Sequence, residues 1–593
     1  MMSPRLSTSR LAALLGAVAI AALSSTARAE PAPSKTAPED AAEAGAASFG
    51  ETGEIDEAAW DIPGAVVVDL KDELDMGAVA KLAQEFGVSF TESNPSIHLG
   101  IVDVAPPEQR SLLARLARDP RVEYAEPLAR VQAFFVPNDP LVKEQWHMQR
   151  IGAPRAWDFA SGRGVTVAVV DTGIACETHG PFNKGSDLAS TECVDGWNFV
   201  NDSAHANDDQ GHGTHVAGTI AQSTNNAIGT VGVAFHARLM PVKVLNEGGW
   251  GSTAGVANGI RWAADHGAQV INLSLGGPRN AKVLENAVKY ALSRGTVVVA
   301  AAGNTGGRVQ YPGATDGVIG VSATDDGDKI AKFSSRGDAV DLAAPGVNVV
   351  QQTICNKGRD KCERYPAYNG TSMAAPHVAG AAALVMSLGV TDPPAVEAAL
   401  KASARVVDSS DGGKKLFGAG IVDAASSTAH VTLIHALTRL GALLVLAWFV
   451  ARGARKRNSS ATTRHGSFWL AALAAGPGLF FFAPWLLPRV NLVVDVLARP
   501  IADLDLFIGA SVHRWLPLAS AALPFALTAL AFGSRKLRPA VAGLATGTAA
   551  YLVSVAWLGE AAGPFGRTAL LAWCGLNAVV CLWIARTNLA ETK

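Results

Sequence analysis

The stretch VAVVDTG, residues 167–173, is an apolar run that ends on a carboxylate and a turn. With Val165 and Thr166 ahead of it, the run reads as a buried strand that delivers Asp171 at its carboxyl end. Similar short apolar runs follow at 238–244, 270–275, 297–301 and 317–323, with helical patterns between them. Such alternation predicts an α/β domain, a parallel sheet covered by helices on both faces. Sites in open sheets of this kind gather at the carboxyl ends of the strands, which makes Asp171 a candidate functional residue. Taken alone, D-T-G could equally be a turn or half of an aspartic dyad. No second copy follows, which weighs against the dyad.

Two further motifs lie downstream. HGTHVAG, residues 212–218, places His212 just before a helical pattern. Its two histidines could suggest a metal, but the helical H-E-x-x-H arrangement is absent and no carboxylate follows at a suitable spacing. His212 therefore reads as a general base and His215 as a structural residue. GTSMAAPHVAG, residues 370–380, places Ser372 at the start of a long helix of small residues. A helix N-terminus offers N–H groups and positive potential to a developing oxyanion. A serine hydroxyl needs a neighbouring base, and that base needs a carboxylate to orient it. Asp171, His212 and Ser372 supply the three types, in the chain order found in subtilisin.

These three motifs resemble the signature segments of the subtilisin-like serine proteases, the thermitase-like branch in particular. The resemblance runs from about Asn138 to Ala425 and implies a serine endopeptidase acting on peptide or protein substrates. It also implies further roles. Asn304, in AAAGN, matches the family's oxyanion asparagine. Ser274, Leu275, Gly276 and Gly277 match one wall of the substrate cleft, and Gly249, Trp250 and Gly251 the other. An extended peptide would add between them as a strand. Gln310 aligns loosely with the floor of the primary pocket; it is neutral, so no preference for basic residues is expected. Calcium is implied as well. Thr224 to Thr230 resembles a calcium loop offering the Asn226 side chain and the carbonyls of Thr224, Ile228 and Thr230, with Asp187 and Gln145 as outer ligands. Calcium favours six to eight oxygen donors.

The rest of the chain reads differently. Its 593 residues leave room for several domains. A hydrophobic fraction of 49% and a mean hydropathy of +0.20 point to membrane segments. The net charge of −2, without a basic stripe, gives no hint of a nucleic-acid partner. Arg5 and Arg10 precede an apolar run over 11–23 and an Ala27-Arg28-Ala29 site, the pattern of a secretory signal over 1–29. Residues 30–58 have too few large apolar side chains to build a core and read as a linker. A β-α-β-α-β pattern over 65–131 resembles the subtilisin propeptide, an inhibitor and folding chaperone; we assign it 59–135, with self-cleavage expected between Gln132 and Asn138. The protease domain is assigned 136–428. Two local disulfides are plausible in the exported part, Cys176 with Cys193 and Cys355 with Cys362.

Beyond Ala424 come five apolar stretches, at about 431–451, 468–488, 515–533, 539–558 and 568–585. If all five span, Arg452, Arg455, Lys456, Arg457, Arg464, Arg535, Lys536 and Arg538 fall on the cytoplasmic side, in line with the positive-inside rule. The expectation is a five-span region over 429–593 in contact with membrane lipid, the protease facing the periplasm or exterior. Asp495, Asp503 and Asp505 read as residues of a solvated loop. Since the protease would end a few residues before the first span, it would act close to the membrane. The alternative is a transport or sorting protein with an accessory protease. An inactive binding relative is disfavoured by the complete set of catalytic residue types.

Overall fold

The computed structural model describes residues 61–94, 98–129, 135–455, 462–487, 491–513, 515–531, 534–561, 563 and 565–589. The expected signal (1–29) and linker (30–58) lie outside the described residues, as does part of the expected cleavage stretch (132–134). The chain divides into two compact units, Met1–Gln132 and Ala133–Lys593.

The first unit contains β1 (Asp61–Leu70), α1 (Met76–Phe86), β2 (Phe90–Asn94), β3 (Leu99–Asp103), α2 (Gln109–Leu116) and β4 (Val122–Ala129). Its four strands form an antiparallel sheet in the order β2-β3-β1-β4. Strand β1 alternates: Val66, Val68 and Leu70 are buried against Leu82 of α1 and Leu112 and Leu116 of α2. Helix α1 starts where the Asp75 side chain accepts the Ala78 N–H, and stops at Gly87 in the left-handed region. Three strands were expected. The fourth, β2, has the sequence FTESN and pairs only with β3; a polar edge strand gives no apolar alternation to read.

The second unit is built on a seven-stranded parallel sheet. In chain order its elements are β5 (Thr166–Asp171), β6 (Trp197–Asn198), α3 (His212–Ala221), β7 (Arg238–Lys243), α4 (Thr253–Asp265), β8 (Val270–Leu273), α5 (Lys282–Ser293), β9 (Val297–Ala301), β10 (Ile319–Thr324), β11 (Leu342–Pro345), α6 (Thr371–Met386) and α7 (Pro393–Ala402). The strand order is β11-β10-β9-β8-β5-β7-β6, and every pairing is parallel. Both faces are covered. Val167 and Val169 of β5 join a core with α3 and α6, while Ala168 and Val170 join another with α4 and α5. The five expected strands are all present. The two missed ones lie at the sheet edges: β6 has two residues, and β11 is a short small-residue run ending in proline.

The helical region follows without a break. Helix α8 (Ala424–Arg455) begins inside the protease, where Ala424 and Val431 belong to the core that holds α3 and α6. The domain boundary placed at 428 therefore falls inside a continuous helix. After it come α9 (Gly466–Ala475), α10 (Leu492–Ala498), α11 (Ala522–Ala531), α12 (Arg538–Leu558) and α13 (Arg567–Asn588). Among the described residues, α8, α12 and α13 are long and apolar enough to cross a membrane. Among the described residues, the second apolar stretch holds the ten-residue helix α9 and a short 3-10 turn at Ala483–Trp485, and the third holds the ten-residue helix α11. Helix α9 stops at Gly476-Pro477-Gly478, where proline cannot continue the main-chain ladder.

Asp495, Asp503 and Asp505 are buried rather than solvated. Asp495 pairs with Arg499 at 2.7 Å, Asp505 with His513 at 2.6 Å, and Asp503 with Arg439 at 2.8 Å and with the Tyr551 hydroxyl. An unpaired charge inside an apolar bundle costs several kcal/mol, roughly, which explains the pairing. Asp495 and Arg499 stand one helical turn apart, whereas the partners of Asp503 come from other helices and no local pattern signals them.

Candidate active site

Asp171 is the last residue of β5 and is fully buried. His212 is the first residue of α3, and its Nδ1 lies 2.7 Å from Asp171 Oδ1. The helix starts there because Gly211, at φ +106°, turns the chain in a conformation side chains resist. The imidazole stays partly exposed, at 24% of its side-chain surface, so its outer edge reaches the cleft. Burial works against its charged form, but the Asp171 carboxylate outweighs that and holds the His212 pKa above its usual value.

Ser372 is the second residue of α6. Its hydroxyl donates to the Ser274 carbonyl at 3.0 Å, so a rotation about the side chain is needed before it can meet His212. Loose catalytic hydrogen bonds are common without substrate. Asn304 follows β9 and is exposed to the cleft. Its Oδ1 accepts from the Thr371 N–H at 2.8 Å and the Thr371 hydroxyl at 2.9 Å, which turns its amide nitrogen the other way. A methyl group on Gly370 would lie 3.3 Å from Asn304 Nδ2 and 3.6 Å from the Ser372 nitrogen. Two donors therefore border one small space that only glycine leaves open.

Residues the sequence did not single out hold this arrangement. Asp208 accepts from the Thr172 hydroxyl (2.9 Å), from the Gly211 N–H (2.9 Å), and from the N–H and hydroxyl of Thr214 (2.9 and 2.7 Å). It ties the turn after β5 to the start of α3. Its signal was the acidic pair just ahead of the HGTHVAG motif. Asn272 donates to the Ser274 hydroxyl, which in turn donates to the Ser372 carbonyl. A buried polar residue inside an apolar strand was the clue. His215 is buried, stacks on Tyr368, and is pushed down to about 3 by burial, as befits a structural imidazole.

The cleft walls lie at the same end of the sheet. Ser274, Leu275, Gly276 and Gly277 leave β8, and Gly277 exchanges two main-chain hydrogen bonds with Tyr311. Opposite, Gly249, Trp250 and Gly251 form a turn closed by Asn246, with Trp250 strongly exposed. The Gln310 side chain lies within 3.4 Å of where a Gly276 methyl would sit and 2.7 Å of a Gly303 methyl.

The 224–230 loop gathers around Asp187. Asp187 accepts from Asn226 Nδ2 at 2.8 Å and from the Thr230 N–H at 2.9 Å. Burial pushes its carboxyl up to about 7, and the nearby Asp139 adds to the rise. Asp139 accepts the Asn225 N–H at 2.6 Å and is itself raised by burial. Gln145, expected as an outer ligand, is fully buried. Its amide is engaged at both ends by the main chain of Val231, at 2.8 and 3.1 Å. Asp139, missed in the sequence, is a second acidic residue facing the loop. Cys176 is bonded to Cys193 and Cys355 to Cys362, with Cα separations of 5.9 and 5.4 Å.

Comparison with known proteins agrees with this architecture. Residues 162–420 match the subtilase family, and residues 60–127 match the fervidolysin N-terminal prodomain. A thermophilic serine proteinase of Bacillus sp. (strain AK1) is 39% identical over 331 residues, 55% of this chain and 79% of the relative. Thermitase of Thermoactinomyces vulgaris is 44% identical over 257 residues, 43% of this chain and 87% of the relative. The crystal structure of fervidolysin from Fervidobacterium pennivorans is 27% identical, with a TM-score of 0.44, covering 62% of this chain and 61% of that one. The chain belongs to the subtilase family and is a subtilisin-type serine protease preceded by a fervidolysin-like prodomain.

Proposed function

We propose that the protein is a membrane-anchored, propeptide-activated serine endopeptidase that works through Asp171, His212 and Ser372. The Asp171–His212 hydrogen bond, beside the two-donor space over Gly370, is the observation that carries this reading. The Ser372 hydroxyl rotates off the Ser274 carbonyl and attacks the scissile carbon while its proton passes to His212 Nε2. Asp171 holds the imidazole in the tautomer that can accept it. The carbonyl oxygen takes up the displaced electron pair and is met by the Ser372 N–H and the Asn304 amide. His212 then gives the proton to the leaving amine, and water repeats the sequence on the acyl-serine.

Substrate would lie as an extra strand between Ser274–Gly277 and Gly249–Gly251. Gln310 narrows the primary pocket and offers a neutral amide, which favours small or polar side chains over basic ones. Calcium fits the 224–230 loop: Asp187 and Asp139 are buried carboxylates disfavoured as anions, and a divalent cation would remove that penalty. Asn226 and the carbonyls of Thr224, Ile228 and Thr230 complete an oxygen donor set. The ion's contribution would be to stability. The first unit, matching a prodomain, would act as inhibitor until cut between Gln132 and Asn138. Helices α8, α12 and α13 would span the membrane, the stretches that hold α9 and α11 would carry the chain back to the exported side and away again between them, and the protease would stand on that exported side.

Reaction of the mature protein with a fluorophosphonate tests the nucleophile. The expected result is one adduct, on Ser372, with Ser372→Ala unlabelled and retained as full-length precursor. An unlabelled native protein, or a processed Ser372→Ala variant in isolation, would sink the mechanism or self-cleavage respectively.

A further inference from the structure

We infer that the helical region carries the protease with its cleft turned away from the membrane, so that it cuts segments standing clear of the bilayer and spares those at its surface. The inference rests on the membrane-anchored reading above and adds which part of a substrate can be reached.

A parallel sheet has two unlike edges. The catalytic groups share one of them: Asp171 ends β5, Ser274 follows β8 and Asn304 follows β9. The helical region touches the other edge. Gly164, two residues ahead of β5, runs against the main chain of Leu506, whose oxygen would lie 1.8 Å from any side-chain carbon placed there. Gly295 and Gly317, each two residues ahead of a strand (β9 and β10), line one cleft together with Gly559 and Gly563. Contacts ahead of three separate strands define a face rather than a point.

Helix α6 gives the same answer independently. Ser372 stands at its first turn. Just past its other end the Ser387 carbonyl accepts from Arg499 at 2.7 Å, and the Thr391 and Asp392 N–H groups donate to the Glu560 carbonyl at 2.8 and 3.0 Å. Six residues of β5 measure about 20 Å at the usual strand rise. Sixteen residues of α6 measure about 24 Å at the helical rise. Two rulers from different elements thus put the cleft roughly 20 Å beyond the face the helical region covers.

The lipid boundary falls close to that face. Leu433 and Leu437 are the first exposed apolar side chains of α8, and Arg439, two residues on, packs beside Gly389 in the loop after α6. The mount is stiff. Helix α8 runs unbroken from the protease core to Arg455, and buried pairs of His435 with Glu560 (2.6 Å) and Arg439 with Asp503 (2.8 Å) lock it to the outer loops. No flexible stalk joins the two parts, so the cleft does not lie down onto the bilayer.

The test uses the full-length protein in proteoliposomes with a single-span reporter in the same bilayer. The reporter carries a cleavable segment behind proline-rich spacers of about 9 or about 37 Å, that is 3 or 12 residues. The same segment is also supplied as a free peptide. We expect the long-spacer reporter to be cut at least tenfold faster than the short one. Equal rates for both spacers overturn the inference. A free peptide left uncut would instead refute the protease reading, and protein extracted by alkaline carbonate would refute the anchor. Energy transfer from a fluorophosphonate dye on Ser372 to dye-labelled lipid headgroups gives a second measure. Transfer as efficient as that of a dye at the bilayer surface would also overturn the inference.

Discussion

At the residue scale, one carboxylate decides the state of the base. Burial alone would drive the His212 pKa down, and Asp171 reverses the sign. Since His212 must be neutral to accept a proton, activity should fall on the acid side of its raised pKa. Asp171→Asn should move that acid limb to lower pH and reduce kcat by about 10⁴-fold, as read from a pH–rate profile on a peptide substrate. Gly370 is the other decisive position. Gly370→Ala places a methyl 3.3 Å from the Asn304 amide nitrogen, in the space reserved for the oxyanion. It should lower kcat by roughly 10²–10³-fold with little change in KM, the size of loss subtilisin shows when one oxyanion donor is removed. The three residues proposed as catalytic could be singled out because each sits in a motif. Asp208 and Asn272 could not, since their importance lies in partners 36 and 2 residues away that only the folded chain identifies.

Among elements, the difference lies between strands set by pattern and helices set by neighbours. The five inner strands are mostly apolar and buried because both faces are covered, and they could be read directly. The edge strands β2, β6 and β11 are polar, very short, or closed by proline, and they could not. In the helical region, α9 and α12 approach closely because α12 carries Gly543 and Gly547 one turn apart. A methyl at these positions would lie 2.0 Å from the Phe468 carbonyl oxygen and 2.4 Å from that of Ala472. Gly547→Leu should therefore force the pair apart and destabilise the helical region by about 1–3 kcal/mol. A lowered thermal midpoint in detergent would show it; an unchanged midpoint would mean the two helices do not pack as described.

For the whole molecule, the calcium loop couples pH to stability. The Asp187 carboxyl rises from 3.8 to about 7 on folding, so the native state binds its proton more tightly than the unfolded chain does. Without calcium, stability from this group is present below about pH 4 and is lost as pH rises towards 7. With calcium bound the charged form is favoured, and the loss should disappear. Thermal melts across that window, with chelator and with calcium, check both signs, and Asp187→Asn should flatten the difference. Length of chain matters in a related way. A soluble form ending at Ala425 lacks Val431, a buried member of the protease core, whereas one ending at Ala436 keeps it. The longer form should melt several degrees higher, since burying one valine contributes about 1.5–3 kcal/mol.

By itself the sequence determined the α/β class, the subtilase family and the presence of an apolar region after Ala424. Those features are local: a run of valines, a motif, a stretch of leucines and alanines. What the tertiary structure decided is everything that depends on partners distant in the chain. It brought Asp139 to the loop, where it accepts the Asn225 N–H across 86 residues of chain, and it set the Gln145 amide against the main chain of Val231. It took Asp503 out of solvent, because its partners Arg439 and Tyr551 come from helices 64 and 48 residues away in the chain. It also carried α8 from the protease core into the helical region as one helix, because Val431 has a place to pack there.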